Sequence, residues 1–413
     1  MDGPELDALY LAHVAELRRR VDRVLGEQRW DAVAIHSGSP VPRSRFDDQF
    51  WPLRPCPHFQ HWLPLAEADC VLVVRAGRRP ALLRRTASSF WERPAPPESD
   101  VFLEALDVAS VRDWPEARRH LPAGRLAFVG EDPAVAGELG IGIDAACPQP
   151  LVRALDALRT TKTPYETACV AEANRRARPG HEALREVFRA KDASELDLHL
   201  LFLAATGQDD PETPYKNIVA LGESAATLHH VAYGRHAPGR AAESLLVDAG
   251  ATCRGYASDV TRTWVKGTGA AASAFAQLVA GVDAAQRRLC AALRAGVSYE
   301  ALHDESHRQV GEVLREAGVV RASLDEAVGS GVTRAFYPHG LGHSLGLQTH
   351  DVGCGLRAPR ADNAFLRNTS DVAPGQVFTI EPGIYFIESL LAPLRAKPEG
   401  KIVDWKMVDA LAP

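Results

Sequence analysis

The sequence predicts two domains of different class, a smaller α/β domain followed by a larger α+β domain. Three observations lead there. The chain has 413 residues, more than one ordinary core serves, so two cores are expected. Over residues 1–155, short apolar runs alternate with helical stretches, the pattern of an α/β layer. Beyond that point the order is helices, strands, helices, strands, which suggests helices packed on one side of a mostly antiparallel sheet.

The elements follow in order. Leu6, Leu9, Val14, Leu17, Val21 and Val24 recur near helical spacing, so residues 6–27 read as an amphipathic helix. Asp31-Ala32-Val33-Ala34-Ile35 reads as a strand, and Ser37 to Pro64, polar and rich in Pro, as an irregular surface excursion. Cys70 to Val74, Ala81 to Leu83 and Leu126 to Gly130 are strand-like. A helix near Pro150, with Leu151, Leu155 and Leu158 on one face, links the domains, which divide as 1–155 and 156–413. The second domain opens with helical patterns from Pro164 to Gly207, with a helix start at Asp192-Ala193-Ser194-Glu195. Strands are expected at Asn217 to Leu221, Ser244 to Ala249 and Asp259 to Val265, and helices from Ala271 to Ala295 and Tyr299 to Ala317. The last third is rich in glycine and strand-like.

Composition excludes several classes of function. A net charge of -6 argues against a general nucleic-acid binder, which carries a basic face. No apolar run approaches the roughly 20 residues that span a bilayer. Met1-Asp2-Gly3-Pro4-Glu5 lacks the basic-then-apolar layout of a secretion signal. Seven cysteines, scattered and odd in number, read as reduced thiols of a cytoplasmic protein rather than as a disulfide framework or a Cys-based zinc site.

The chemistry concentrates in four segments: Leu245-Leu246-Val247-Asp248-Ala249-Gly250, Ser258-Asp259-Val260-Thr261-Arg262-Thr263, Pro338-His339-Gly340-Leu341-Gly342-His343 and Ile380-Glu381-Pro382-Gly383. Each sets a carboxylate or an imidazole among apolar or glycine neighbours, where a charge is expensive unless paired or metal-bound. Together they offer oxygen and nitrogen ligands for a pair of hard divalent cations. A hairpin centred on Cys253-Arg254 would put Asp248 directly opposite Asp259, with cross-strand Cβ atoms ~5 Å apart. His339, His343 and His350 fall in one short stretch, but Gly340, Gly342 and Gly346 oppose a helix, so an extended loop presents them. Gly342-His343-Ser344-Leu345-Gly346 matches the G-x-S-x-G elbow of serine hydrolases. That mechanism needs an acid and then a His downstream, and no Asp or Glu stands between Ser344 and the last His, His350. The serine hydrolase reading is rejected.

These motifs resemble the proline dipeptidase branch of the pita-bread metallopeptidases. The run His339-Gly340-Leu341-Gly342-His343-Ser344-Leu345-Gly346-Leu347-Gln348-Thr349-His350-Asp351 is similar to that family's proline-peptidase signature, departing at Thr349, where an aliphatic residue is usual. Phe46-Asp47-Asp48 through Trp62-Leu63-Pro64 resembles the branch's N-terminal domain, and Tyr215-Lys216-Asn217-Ile218-Val219-Ala220-Leu221 its catalytic domain.

The resemblance implies a creatinase-like α/β N-terminal domain before a C-terminal pita-bread domain, a homodimer, and metal-dependent hydrolysis of Xaa-Pro dipeptides with a side activity on organophosphate esters. It implies two divalent ions, most readily Mn2+, held by Asp248, Asp259, His339 and Glu381. It makes Glu381 a proton shuttle and His229, His343 and His350 substrate-side histidines. Tyr215 becomes a pocket residue, and Asp47 or Asp48 reaches a partner subunit's site. A fifth ligand, a Glu in a Gly-Gly-Ile-Arg-x-Glu-Asp strand, belongs beyond the segment resembling Lys406 to Pro413. The resemblance therefore implies a domain lacking its last strand, that Glu and a nearby substrate Arg. Three other readings stand beside it: an aminopeptidase P acting on longer peptides, a metal-free creatinase, which the four ligands argue against, and a non-catalytic module on the same scaffold.

Overall fold

The structure, a computed structural model, describes residues 3–85, 97–238 and 243–412. The chain forms two compact units, Met1–Cys169 with Arg254–Tyr256, and Val170–Cys253 with Ala257–Pro413.

The first unit begins with helix α1 (Gly3–Gln28), whose Tyr10, Leu17 and Leu25 are fully buried. Its sheet is built from β1 (Ala32–His36), β2 (Cys70–Arg75), β3 (Ala81–Arg85), β4 (Asp107–Val111) and β5 (Leu126–Val129), in the order β4-β3-β2-β1-β5. β1 runs antiparallel to β2 and parallel to β5. β1 and β2 are apolar at nearly every position because both of their faces are buried. Ala34, Val71, Val73, Leu83, Phe128 and Trp114 form the core on one face. Helix α2 (Gln149–Leu158) buries Leu151 and Leu155.

Helix α3 (Pro164–Ala190) follows and crosses the boundary between the units. Helix α4 (Glu195–Thr206) starts at a capping box, Ser194 accepting from Asp197 N–H and Asp197 accepting in return, and ends on Gly207 in the left-handed region. The second unit's sheet, β6 (Ile218–Leu221), β7 (Ser244–Asp248) and β10 (Thr261–Val265), is antiparallel with β7 at its centre. Between β7 and β10 lie the two-residue strands β8 (Thr252–Cys253) and β9 (Tyr256–Ala257). Strand alternation turns Leu245, Val247 and Ala249 into a core with Ala177, Leu184, Leu198 and Phe202 of α3 and α4. The opposite face carries Leu246 and Asp248 into a cavity. Helices α5 (Ala270–Ala292) and α6 (Tyr299–Glu316) pack a second core with Phe336, Tyr337 and Leu394.

The last third departs from the strand-like expectation. Regular structure there is helical, at Leu324–Gly329, Val332–Phe336, Glu388–Arg395 and Trp405–Leu411. Segments 341–345 and 377–381 do pair antiparallel, through Leu345 N–H to Val377 O, Thr379 N–H to His343 O and Glu381 N–H to Leu341 O. Prolines and glycines on both sides keep the ladder to these few rungs. The seven cysteines are free, and among the described residues no helix is long and apolar enough to cross a membrane.

Candidate active site

Asp248 closes β7, and its cross-strand partner is Thr261 rather than Asp259. The expected hairpin centre is therefore wrong by one residue. The turn lies at Arg254-Gly255, with φ of 50° and 85°. Positive φ at both central residues is the signature of the two-residue type I′ turn, whose twist matches the flanking strands. The same register continues through Ala249 N–H to Val260 O and Ser258 N–H to Ala251 O. Pairing shifts by two, so both aspartates keep their common face and become diagonal neighbours.

The Tyr215 hydroxyl joins them, 2.5 Å from Asp248 Oδ1 and 3.0 Å from Asp259 Oδ1. One hydroxyl proton serves only one carboxylate at a time. Burial, reinforced by the Asp259 charge, pushes the Asp248 carboxyl up to about 7, so the two acids resist carrying two full charges side by side. Burial against both aspartates also raises the Tyr215 phenol far above its usual range.

His343 reaches this cluster from the facing segment. Its Nε2 lies 3.2 Å from Asp259 Oδ2 and 3.2 Å from Glu381 Oε1. Its Nδ1–H donates to the Ser344 carbonyl at 2.9 Å. Burial opposes charge on this ring, but the Asp259 and Glu381 carboxylates overcome it and push its pKa up to about 10. Thr379 fixes the two partners together: its hydroxyl donates to Glu381 Oε1 at 2.9 Å and accepts from His343 N–H at 2.9 Å. The approach of the two segments leaves no room for a Cβ at Gly342, which would meet the Thr379 carbonyl and the Tyr299 hydroxyl.

His339 does not join the carboxylates. Its Nδ1–H donates to the Gly340 carbonyl at 2.9 Å, and its Nε2 accepts from the Tyr385 hydroxyl at 3.1 Å. Burial lowers its pKa. The imidazole that meets the carboxylates is that of His343, whereas Tyr385 engages the one ring nitrogen that His339 has free. His350 stands edge-on to His343 at 4.4 Å, and burial, with the His343 and Arg367 charges, lowers its pKa to about 4. His229 acts electrostatically on His339. All of these residues line one cavity of about 2300 Å³. Asp47 and Asp48 lie in the exposed excursion of the first unit, where Asp47 accepts from Gln49 N–H.

Two residues here carry no sequence signal that pointed to them. Arg367 is exposed on the cavity wall, a single Arg in an irregular segment. Tyr385 follows the Glu381 motif but reads as a strand aromatic until its bond to His339 is seen.

Among the described residues, no three His, Cys, Asp or Glu side chains already stand at metal-binding spacing. The donor set nevertheless suits hard divalent cations: Asp248, Asp259 and Glu381 bring three carboxylates against one imidazole. His343 has the arrangement typical of a ligating histidine, one ring nitrogen tied to a backbone carbonyl and the other aimed at the acids. Tyr215 and the proton on His343 occupy the oxygen lone pairs that a cation would take.

Residues 168–406 match the model of metallopeptidase family M24, and residues 8–157 that of the Xaa-Pro dipeptidase N-terminal domain. The chain is 37% identical over 419 residues to an Xaa-Pro dipeptidase of Pseudoalteromonas atlantica, covering 99% of this chain and 94% of the relative. It is 40% identical over 413 residues to that of Marinobacter nauticus, covering 99% and 94%. Among solved structures it is similar to Zn-substituted Escherichia coli aminopeptidase P in complex with product, with a TM-score of 0.69 at 22% identity over 90% of this chain and 87% of that one. The same protein with the inhibitor Pro-Leu gives a TM-score of 0.70 at 22% identity, with the same coverage. Those structures support the pita-bread architecture of the second unit behind a creatinase-like N-terminal domain. The chain belongs to metallopeptidase family M24, and its first domain is of the Xaa-Pro dipeptidase type.

Proposed function

We propose that this chain hydrolyses the peptide bond before proline in Xaa-Pro dipeptides, using two divalent cations, most readily Mn2+. The observation that carries the reading is the half-buried group of Asp248, Asp259 and Glu381 around His343 Nε2 and the Tyr215 hydroxyl. Near-full-length relatives named Xaa-Pro dipeptidase support the substrate class.

We assign cation binding to Asp248, Asp259, His343 and Glu381, with His343 in place of the His339 that the family resemblance implied. When bound, such cations supply Lewis acidity to water and to the scissile carbonyl. Glu381, the most exposed of these acids facing His343, is placed to carry a proton toward the departing proline nitrogen. His229, His339 and His350 line the same wall and offer hydrogen bonds to the peptide. Tyr215 holds the two aspartates together through its hydroxyl. Arg367 presents an exposed guanidinium on the cavity wall beside His350, suited to the free carboxylate of a dipeptide.

The domain division near residue 155, a homodimer in which Asp47 or Asp48 meets a partner's site, and a side activity on organophosphate esters belong to the same reading, as does a cytoplasmic location. The test compares Xaa-Pro dipeptide, Xaa-Pro-Yaa tripeptide and Xaa-Pro amide on chelator-treated chain with and without added Mn2+. The dipeptide should be the preferred substrate and turnover should require the ion. Arg367→Ala should raise KM for the dipeptide about 10- to 100-fold, the worth of one charge-assisted bond, and leave the amide unaffected. Turnover without added metal, or a preference for the tripeptide, would refute the assignment.

A further inference from the structure

Outside the carboxylate cluster, Glu195 is the buried acid with the most unusual partners. It is the first residue of α4, its backbone set by the Ser194 cap, and it is 5% exposed. Its carboxylate accepts from Leu221 N–H at 2.9 Å on one oxygen, and from Gly234 N–H at 2.8 Å and His230 Nε2–H at 2.7 Å on the other. Leu221 is the last residue of β6. Gly234, on the far side of the loop, also accepts from Leu196 N–H at 3.1 Å. One side chain thus ties together both ends of an Ω-shaped loop. Burial alone would raise the Glu195 pKa, but the bonds from Gly234, Leu221 and His230 outweigh it and hold it below its ordinary value. A carboxylate serving only the helix dipole would need none of these partners. Between the two ties sits His229, which lines the cavity with Asp248, His339 and Glu381 and acts electrostatically on His339.

We infer that Glu195 is a positioning residue: by closing the Leu221–Gly234 loop onto α4, it holds His229 at the wall of the carboxylate cavity. For turnover this rests on the peptidase reading; the closure of the loop is tested without it.

The experiment uses the full chain with Mn2+ as wild type, Glu195→Ala, Glu195→Gln, His229→Ala and the Glu195→Ala/His229→Ala double variant. Amide hydrogen exchange is read at Leu221 and Gly234, with Leu245 and Val247 of β7 as internal controls. Glu195→Ala should speed exchange at Leu221 and Gly234 about tenfold or more, the worth of a bond to a charged acceptor, and leave the controls unchanged. Glu195→Gln keeps one acceptor oxygen and should fall between wild type and Glu195→Ala; it stands in if the alanine variant does not fold. On an Xaa-Pro dipeptide, kcat/KM should fall about tenfold in Glu195→Ala, and the double variant should be no worse than His229→Ala alone, as coupled residues require. Unchanged exchange at both amides in the Glu195 variants overturns the loop closure, and losses that multiply in the double variant overturn action through His229. A wild type inactive on Xaa-Pro dipeptides refutes the peptidase reading instead, and exchange alone then decides the role of Glu195.

Discussion

Each unit buries acids and imidazoles together, and the two do so in opposite ways. In the first, Thr163 and Glu166 form the capping box of α3: Thr163 N–H donates to Glu166 Oε2 at 2.8 Å, and Glu166 N–H to Thr163 Oγ1 at 3.4 Å. Around that single carboxylate stand His61 Nε2 at 3.4 Å and the Tyr256 hydroxyl at 3.2 Å, while His13 bonds to Thr163 Oγ1 at 2.8 Å. Burial would raise the Glu166 carboxyl, yet His61, His13 and Lys162 hold it well below the usual carboxylate range. One acid is surrounded by donors. In the second unit Asp259 and Glu381 face one imidazole, Asp248 shares the Tyr215 hydroxyl with Asp259, and Asp248 is pushed up instead of down. In the first cluster the Thr163 N–H and the Tyr256 hydroxyl both donate to the one acid. The second carries surplus negative charge, which protons or cations relieve.

The sharpest way to break this contrast is a pair of neutralising substitutions. Asp259→Asn removes a charge that raises Asp248. The chelator-treated variant should unfold at the same denaturant concentration as wild type or a higher one, while kcat/KM on Xaa-Pro dipeptides falls by more than the roughly 100-fold that loss of an outer partner of a metal ligand costs. Glu166→Gln removes a charge that its surroundings need. Removing a charged acceptor from the Thr163 N–H and the Tyr256 hydroxyl costs about 1.5–3 kcal/mol, so stability should drop by that order while the folded fraction keeps its specific activity. An Asp259→Asn variant that unfolds early, or a Glu166→Gln variant as stable as wild type, would show that the two clusters do not differ in kind.

Much of this was legible from the sequence, for identifiable reasons. The strands Ile218–Leu221, Ser244–Asp248 and Thr261–Val265 are apolar or β-branched runs punctuated by polar turns. The carboxylates stood out because each ends such a run. β4 was not legible: at the sheet edge Asp107, Val108 and Ser110 are exposed, so little apolar pattern marks it. The hairpin register was misread because the turn is set by which residues hold positive φ, and Arg254 is not a residue type that advertises this. The different surroundings of His339 and His343 have a similar cause. Spacing brings both rings near Glu381. Tyr385 on one and Asp259 on the other then separate them, partners that local spacing does not name.

The smallest effect concerns pH and sharpens the comparison from the first unit's side. His13 donates from Nε2 to the His61 carbonyl at 2.7 Å, so its Nδ1 accepts from the Thr163 hydroxyl. A second proton has no place without breaking that bond, and burial, then the His61 charge, lowers the His13 pKa to about 4. In the unfolded chain the group titrates near 6.5. Between these values the unfolded state binds more protons, so stability rises with pH there. The contribution is fully present above pH ~6.5 and is lost on acidification toward pH ~4, up to about 3 kcal/mol in all. His61, also lowered chiefly by burial, acts in the same direction. Hydrogen exchange of the Ile35 and Val73 amides, corrected for intrinsic rates, should report this loss between pH 7 and 5. His13→Gln, less stable at pH 7, should show a shallower slope by close to one proton, and equal slopes in the two proteins would mean that His13 is not buried neutral.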